Sequence, residues 1–338
     1  MRYRILGKTQ IRVSEIGFGA WGIGGMWGAA RDEEAVAALT RAFELGVTFY
    51  DTAMVYGDGH SEELIARALG AHREEIVIAS KVPPKTMRWP VRPGDPIEET
   101  FPADWIIECT EASLRRLQTD YLDVQQLHAW TPDYVMETDW YDAMEQLRAE
   151  GKIRAFGVSV NDWDAYGGLG LVQAGLTDTI QVIYNIFEQR PAEKLFPAAQ
   201  AANVGIIARV PFEEGLLTGA LTPDTQFDQD DWRREWLTPQ RLQEAARHLE
   251  PLSAFLNEDR PTLARLALKF CLSHPAVSTV IPGMRTVAHV EDNCAASDSK
   301  LLTAHLREEL ARHAWNHGWA YPWAEETEGE ITVEDADA

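Results

Sequence analysis

Eight short apolar runs, each followed by a stretch with helical periodicity, constrain this chain more than any other feature. The runs are EIGFG, VTFY, EIVIAS, LDVQQL, IRAFGVS, TIQVIYN, VGIIARV and VSTVI. Strands that read as continuous apolar segments are buried on both faces, and alternation with helices predicts a parallel sheet with crossover connections. The helical stretches include DEEAVAALTRAFELG, with Asp32 expected as its cap and Gly46 as its stop, then SEELIARALG, ADWIIECTEASLRRLQ and ETDWYDAMEQLRAEG. Further on come a helix from Ala192 to Asn203, TPQRLQEAARHLEPL, PTLARLALKFCLS and helices from about Thr286 and Lys300. Eight such units predict an α/β fold, a (β/α)8 TIM barrel. MRYRILGKTQIRV, with two extended stretches around Gly7 and Lys8, reads as an N-terminal β-hairpin closing one end. A single barrel domain is expected over 1–323, with an acidic, disordered tail over 324–338.

In such a barrel the chemistry collects where the strands end. Asp51 follows VTFY, Tyr56 lies in the same loop, Lys81 ends EIVIASK and His128 ends YLDVQQLH. Their convergence would place a phenol beside an ammonium, a carboxylate holding the ammonium, and an imidazole nearby. That set suits proton donation to a carbonyl oxygen, because hydride attack creates an oxyanion and a positioned acid lowers the barrier. The Lys81 ammonium is expected to stabilise the Tyr56 phenolate and lower the tyrosine toward neutrality, with Asp51 keeping Lys81 protonated. The hydride itself requires a cofactor, since no side chain offers one.

Two long loops follow the third and seventh strands, VPPKTMRWPVRPGDPIEETFP and FEEGLLTGALTPDTQFDQDDWRREW, and both are expected over the rim. Trp21, Trp89 and Trp130, following strands one, three and four, are candidate walls of a substrate pocket. Phe227, Trp232 and Trp236 lie in the second loop.

Other signals carry less. The net charge of −22 argues against nucleic-acid binding, which needs clustered Lys and Arg. No apolar run approaches a membrane span and no signal-peptide h-region is present, so no membrane partner is expected. Cys109, Cys271 and Cys294 are widely spaced and form neither a disulfide framework nor a zinc site, and a cytoplasmic setting follows. Gly17, Gly19 and Gly22 spell GxGxxG without leading directly into a helix. Gly157-Val158-Ser159 lacks the last glycine of a nucleophile elbow. His313 and His317 share a helical spacing but lack a Glu between them where a zinc protease would need one, so no metal is expected.

FYDTAMVYGDGHSEELIARAL, IVIASKV, RRLQTDYLDVQQLH, GKIRAFGVSV and IPGMR, in this order and at barrel spacing, make the chain resemble the aldo-keto reductases over nearly its whole length. The resemblance implies that Asp51, Tyr56, Lys81 and His128 are a catalytic tetrad. Ser159, Asn161 and Gln181 fall where the family holds the nicotinamide carboxamide. Further cofactor contacts are implied for Gly19, Ala20 and Trp21, for Arg209, Pro211, Gly215 and Leu217, and for Gly283, Arg285 and Asn293. Gly283 and Met284 replace the Lys and Ser or Thr that many members set on the 2′-phosphate. Arg285 remains as a bidentate phosphate partner, favouring NADP(H) over NAD(H). Arg209 stands where many members carry a stacking Tyr, its alternative role being an ion pair with Glu213 or Glu214. The implied activity is reduction of small-molecule aldehydes or ketones. The alternative is a cofactor-sensing regulatory subunit similar to the potassium-channel β subunits.

Overall fold

The computed structural model describes residues 1–25, 31–229 and 231–319. The acidic stretch 324–338 therefore lies outside the described residues.

The N-terminal hairpin pairs β1 (Tyr3–Ile5) with β2 (Arg12–Ser14), antiparallel, with Ile5 opposite Arg12. Eight parallel strands follow: β3 (Phe18–Gly19), β4 (Phe49–Asp51), β5 (Val77–Val82), β6 (Leu122–Leu127), β7 (Ile153–Ser159), β8 (Thr179–Ile183), β9 (Gly205–Arg209) and β10 (Val277–Val280). They neighbour one another in chain order. Parallel bridges Ile16–Val280 and Gly19–Gly283 join the first strand to the last. With these bridges the sheet curls round as a (β/α)8 barrel, matching the sequence expectation.

The hairpin plugs the N-terminal end of the barrel. Leu6, Ile11 and Val13 join Phe49, Val77, Ala79, Val124, Ala155, Ile207 and Ile281 in one buried apolar cluster. Gly7 permits this docking: its φ is +53°, and a methyl there would sit 2.3 Å from the Gly205 amide nitrogen. A second, much larger core lies between the outer face of the sheet and the helices.

Three expectations change at the helices. Asp32 begins the helix Asp32–Glu44 rather than capping it; Arg31 holds the cap position, and the Asp32 carboxylate instead meets His60 Nε2 at 2.8 Å. The stretch from Ala192 to Asn203 is helical only over Leu195–Ala201, after a 3-10 turn at Arg190–Ala192. A helix at Leu169–Ala174, between β7 and β8, escaped the sequence reading because six residues flanked by glycines carry too little periodicity. Among the described residues, no helix is long and apolar enough to cross a membrane.

Candidate active site

The strand ends deliver the four side chains to one place. Lys81, near the end of β5, is fully buried and directs its ammonium to three oxygens. It donates to Asp51 Oδ2 at 2.7 Å, to the Thr52 carbonyl at 2.7 Å and to the Tyr56 hydroxyl at 3.1 Å. Tyr56 stands on the turn after β4, which crosses the loop after β3 at its glycines. Gly57 has φ +64°, and a methyl there would lie 2.2 Å from the Gly24 carbonyl oxygen, so only glycine admits this approach. The Tyr56 ring stacks on Trp21 at 5.5 Å and meets the edge of His128 at 5.7 Å.

The hydrogen bonds extend to the next two strands. Gln181 on β8 donates from Nε2 to Asp51 Oδ1 at 2.7 Å, and Ser159 at the end of β7 donates to Gln181 Oε1 at 3.2 Å. Ser159, Gln181, Asp51, Lys81 and Tyr56 thus form one continuous chain of polar contacts. Both Asp51 oxygens are engaged, which fixes the carboxylate and aims the ammonium.

Burial sets the protonation states. Burial pulls the Lys81 ammonium down, yet Asp51 and then Tyr56 outweigh it, and the net direction is upward; Lys81 remains charged. For Tyr56 burial is the largest influence and raises the phenol above its ordinary value, while Lys81 pulls it down. The net direction is up, which corrects the expectation that Lys81 would bring the tyrosine toward neutrality. In this buried pocket Tyr56 is held as a protonated acid. Burial, reinforced by Lys81 and Arg209, pushes His128 well below its usual range, so its ring is neutral. His128 Nδ1 is buried with no hydrogen-bond partner among the described residues.

These groups open onto a cavity of about 700 Å³, within the size range of small-molecule and cofactor sites. Asp51, Tyr56, His128, Ser159, Asn161 and Gln181 face it at one end. Gly283, Arg285 and Asn293 face it along the segment after β10 and the helix Val287–Cys294 that follows. Gly19, Trp21, Trp89, Arg209, Pro211 and Gly215 also line it. The donor set suits an elongated anionic dinucleotide: a hydroxyl and an amide beside Tyr56, guanidiniums along the wall, and an arginine with an amide at the far end.

Several expected site residues sit elsewhere or bond to other partners. Trp130 is fully buried and does not line the cavity; it turns into the helix layer, with its ring 5.5 Å from Tyr134 and 5.0 Å from Trp140. Ala20 and Leu217 are also fully buried and off the cavity wall, where small apolar side chains serve packing. Asn161 lines the cavity, but its amide grips the long loop after β5, donating to the Val91 carbonyl at 2.7 Å. Arg209 pairs with Asp162 at 2.8 Å, and Glu213, an expected partner, faces His317 instead. In the loop after β9, Phe227, Trp232 and Trp236 do not reach the cavity wall. They belong to a satellite cluster with Leu216 and Trp319, and Trp232 meets the cavity residue Trp21 at 6.5 Å.

The family model described as "Aldo/keto reductase family" matches residues 15–312, a stretch that contains all eight barrel strands and the polar chain from Ser159 to Tyr56. The chain belongs to the aldo/keto reductase family. It is 31% identical over 304 residues to Aldo-keto reductase YhdN of Bacillus subtilis (strain 168), an alignment covering 86% of this chain and 87% of that relative. Among solved structures it is similar to aldo-keto reductase AKR11C1 from Bacillus halodurans in its holo form. That likeness has 29% identity and a TM-score of 0.74, over 96% of this chain and 100% of the other. An aldo/keto reductase from Klebsiella pneumoniae, solved in complex with NADP and acetate, is 28% identical with a TM-score of 0.69, over 95% and 99% of the two chains.

Arg233 and His289 are among the residues of this aldo/keto reductase cavity that sequence reasoning missed. Arg233 lies in the loop after β9 and is held by Asp231 through contacts of 3.0 and 2.6 Å. Only the course of that loop brings it to the wall beside Gly215. His289 does have a sequence signal: it lies in the first turn of the helix Val287–Cys294, four residues past Arg285. Among the described residues no group of three or more His, Cys, Asp or Glu side chains gathers where it could hold a metal ion.

Proposed function

We propose that this aldo/keto reductase reduces an aldehyde or ketone to the alcohol using NADPH, with Tyr56 as the proton donor. The observation that carries the reading is the buried Lys81 ammonium shared, at 2.7 and 3.1 Å, between Asp51 and the Tyr56 hydroxyl, both of which line the cavity. When bound, the nicotinamide supplies the hydride that the side chains cannot.

The protein's own residues do the rest. Tyr56, kept protonated by burial, gives its proton to the carbonyl oxygen as negative charge develops there. The phenolate left behind lies against the Lys81 ammonium, which Asp51 keeps charged and aimed, and it regains a proton from water. His128, neutral, presents an imidazole to the same oxygen and orients it. Ser159 and Gln181 would hold the carboxamide, and Arg285 and Asn293 the adenosine end. Trp21 and Trp89 wall the space above Tyr56 and His128 and exclude water from it.

Absorbance at the NADPH band, followed with a panel of aldehydes, ketones and sugars, tests the reading. Turnover of at least one carbonyl is expected. Binding of NADPH without turnover of any panel member or oxidation of any alcohol would move the reading to a cofactor-sensing protein.

Arg285 supports NADPH over NADH, because only the former carries a 2′-phosphate. Arg285→Ala is expected to weaken NADPH by about ten-fold or more, the worth of a charge-assisted contact, and to leave NADH nearly unchanged. Equal weakening of both in a fluorescence titration would show that Arg285 reads another group.

Trp89 donates from its indole nitrogen to the His128 carbonyl at 3.2 Å and sets its ring edge-on to the imidazole at 6.0 Å. Trp89→Ala should therefore lower kcat/KM unequally across substrates, most for bulky apolar carbonyls, with NADPH affinity kept. Uniform loss over the carbonyl panel would make Trp89 a support for His128 rather than a wall.

A further inference from the structure

Residues 210–215, just after β9, face the cavity with one exception. Val210, Pro211, Phe212, Glu214 and Gly215 line the cavity, while Glu213 turns its side chain the other way and is fully buried. This stretch is strained: Val210, Glu213 and Glu214 have φ of +52°, +49° and +53°, a region that disfavours side chains with a Cβ and a β-branched residue most. Such a conformation persists only where its surroundings hold it.

What holds it is a buried cluster outside the barrel. Glu213 Oε2 accepts from Asn185 Nδ2 at 2.6 Å, and the same amide donates to the Val210 carbonyl at 2.9 Å. Glu213 Oε1 lies 3.0 Å from His317 Nε2, and both side chains are essentially inaccessible. The backbone N–H of Trp319 donates to His317 Nδ1 at 3.0 Å, so that nitrogen carries no proton and Nε2 is the N–H that donates to Glu213. Trp163, Trp236, Trp315 and Trp319 surround the imidazole, with ring centroids 4.4–5.8 Å away. The Trp315 amide donates to the Phe187 carbonyl at 3.0 Å, which ties this segment to the loop after β8. His317 lies past residue 312, where the match to the family ends.

We propose that His317 is a positioning residue of the dinucleotide site: through Glu213 it holds the strained turn Val210–Gly215 in the shape that forms the cavity wall. His317 touches neither the cavity nor the reacting groups. Its effect passes through a carboxylate that has two partners, Asn185 from one side and His317 from the other. Removing the imidazole leaves Glu213 buried with one partner, and the turn relaxes toward ordinary φ values. This rests on the dinucleotide reading above.

The test uses the full chain. His317→Ala is expected to weaken NADPH binding at least about five-fold, as a remote coupling of ordinary size would, and to speed NADPH release in stopped flow. The single-turnover rate at saturating NADPH and substrate should stay near that of the wild type, a split between binding and chemistry that a general loss of stability would not give. His317→Gln, whose amide can still donate to Glu213, should recover most of the affinity. The coupling is reciprocal, so saturating NADPH should slow hydrogen exchange at the Trp319 amide of the unmodified protein, a readout that needs no variant to fold. Wild-type affinity in folded His317→Ala, or exchange at Trp319 indifferent to NADPH, would overturn the proposal while leaving the dinucleotide reading intact. Failure of the wild type to bind any nicotinamide dinucleotide would overturn both.

Discussion

Tyr56→Phe is expected to lose carbonyl reduction by about 10²–10⁴-fold, the usual worth of a positioned general acid, while NADPH affinity stays within about two-fold. The ring contacts with Trp21 at 5.5 Å and His128 at 5.7 Å survive the substitution, so the cavity wall is kept and only the proton is deleted. Burial raises the Tyr56 phenol, so the acid is protonated across neutral pH. Activity that depends on the protonated form is present below the folded-state pKa and lost as pH rises through it. The wild-type rate under saturating conditions should therefore stay level through neutrality and fall only above the ordinary tyrosine range, about 10. Whatever rate remains in Tyr56→Phe should lack that alkaline limb. Turnover within about ten-fold of wild type, with the limb still present, would assign the proton to another group.

The sequence made the strand ends legible and left the loops closed. Asp51, Lys81 and His128 were readable because each terminates an apolar run, and strand ends of a parallel barrel meet at one rim whatever the loops do. Tyr56 was readable because it lies in the same loop as Asp51, with only Thr52, Ala53, Met54 and Val55 between them. Trp130 sits just two residues past His128, yet it failed as a pocket residue: once the strand ends, alternation no longer says which way a side chain points. Arg233 and the Glu213–His317 contact, which spans 104 positions, depend on the path of the long loop after β9, and no local pattern encodes that path. The upward direction of the Tyr56 phenol was missed for a different reason. The neighbouring charge is visible in the order of residues, whereas the depth of burial that outweighs it belongs to the assembled barrel.

Lys81→Met should combine the second-largest loss of activity with a measurable loss of stability, and the two effects separate. Methionine preserves the unbranched stem inside a fully buried site but removes the ammonium from Tyr56, Asp51 and the Thr52 carbonyl at once. Asp51, 3% exposed, would then be a buried carboxylate whose remaining polar partner is the Gln181 amide at 2.7 Å. Breaking a buried ion pair by deleting one partner costs about 3–5 kcal/mol, mostly from the charge left behind. Adding Asp51→Asn removes that charge while keeping an acceptor and a donor for the same neighbours. The double variant Asp51→Asn/Lys81→Met is therefore expected to regain most of the denaturation midpoint lost in Lys81→Met but none of the turnover, because the phenolate of Tyr56 still lacks its ammonium. Chemical denaturation and NADPH oxidation, measured on the same three proteins, check both halves. If Lys81→Met unfolds at the wild-type denaturant concentration, the ion pair contributes little to the fold. If the double variant turns over as fast as the wild type, Lys81 has no part in stabilising the phenolate, and the acid at this site draws its strength from elsewhere.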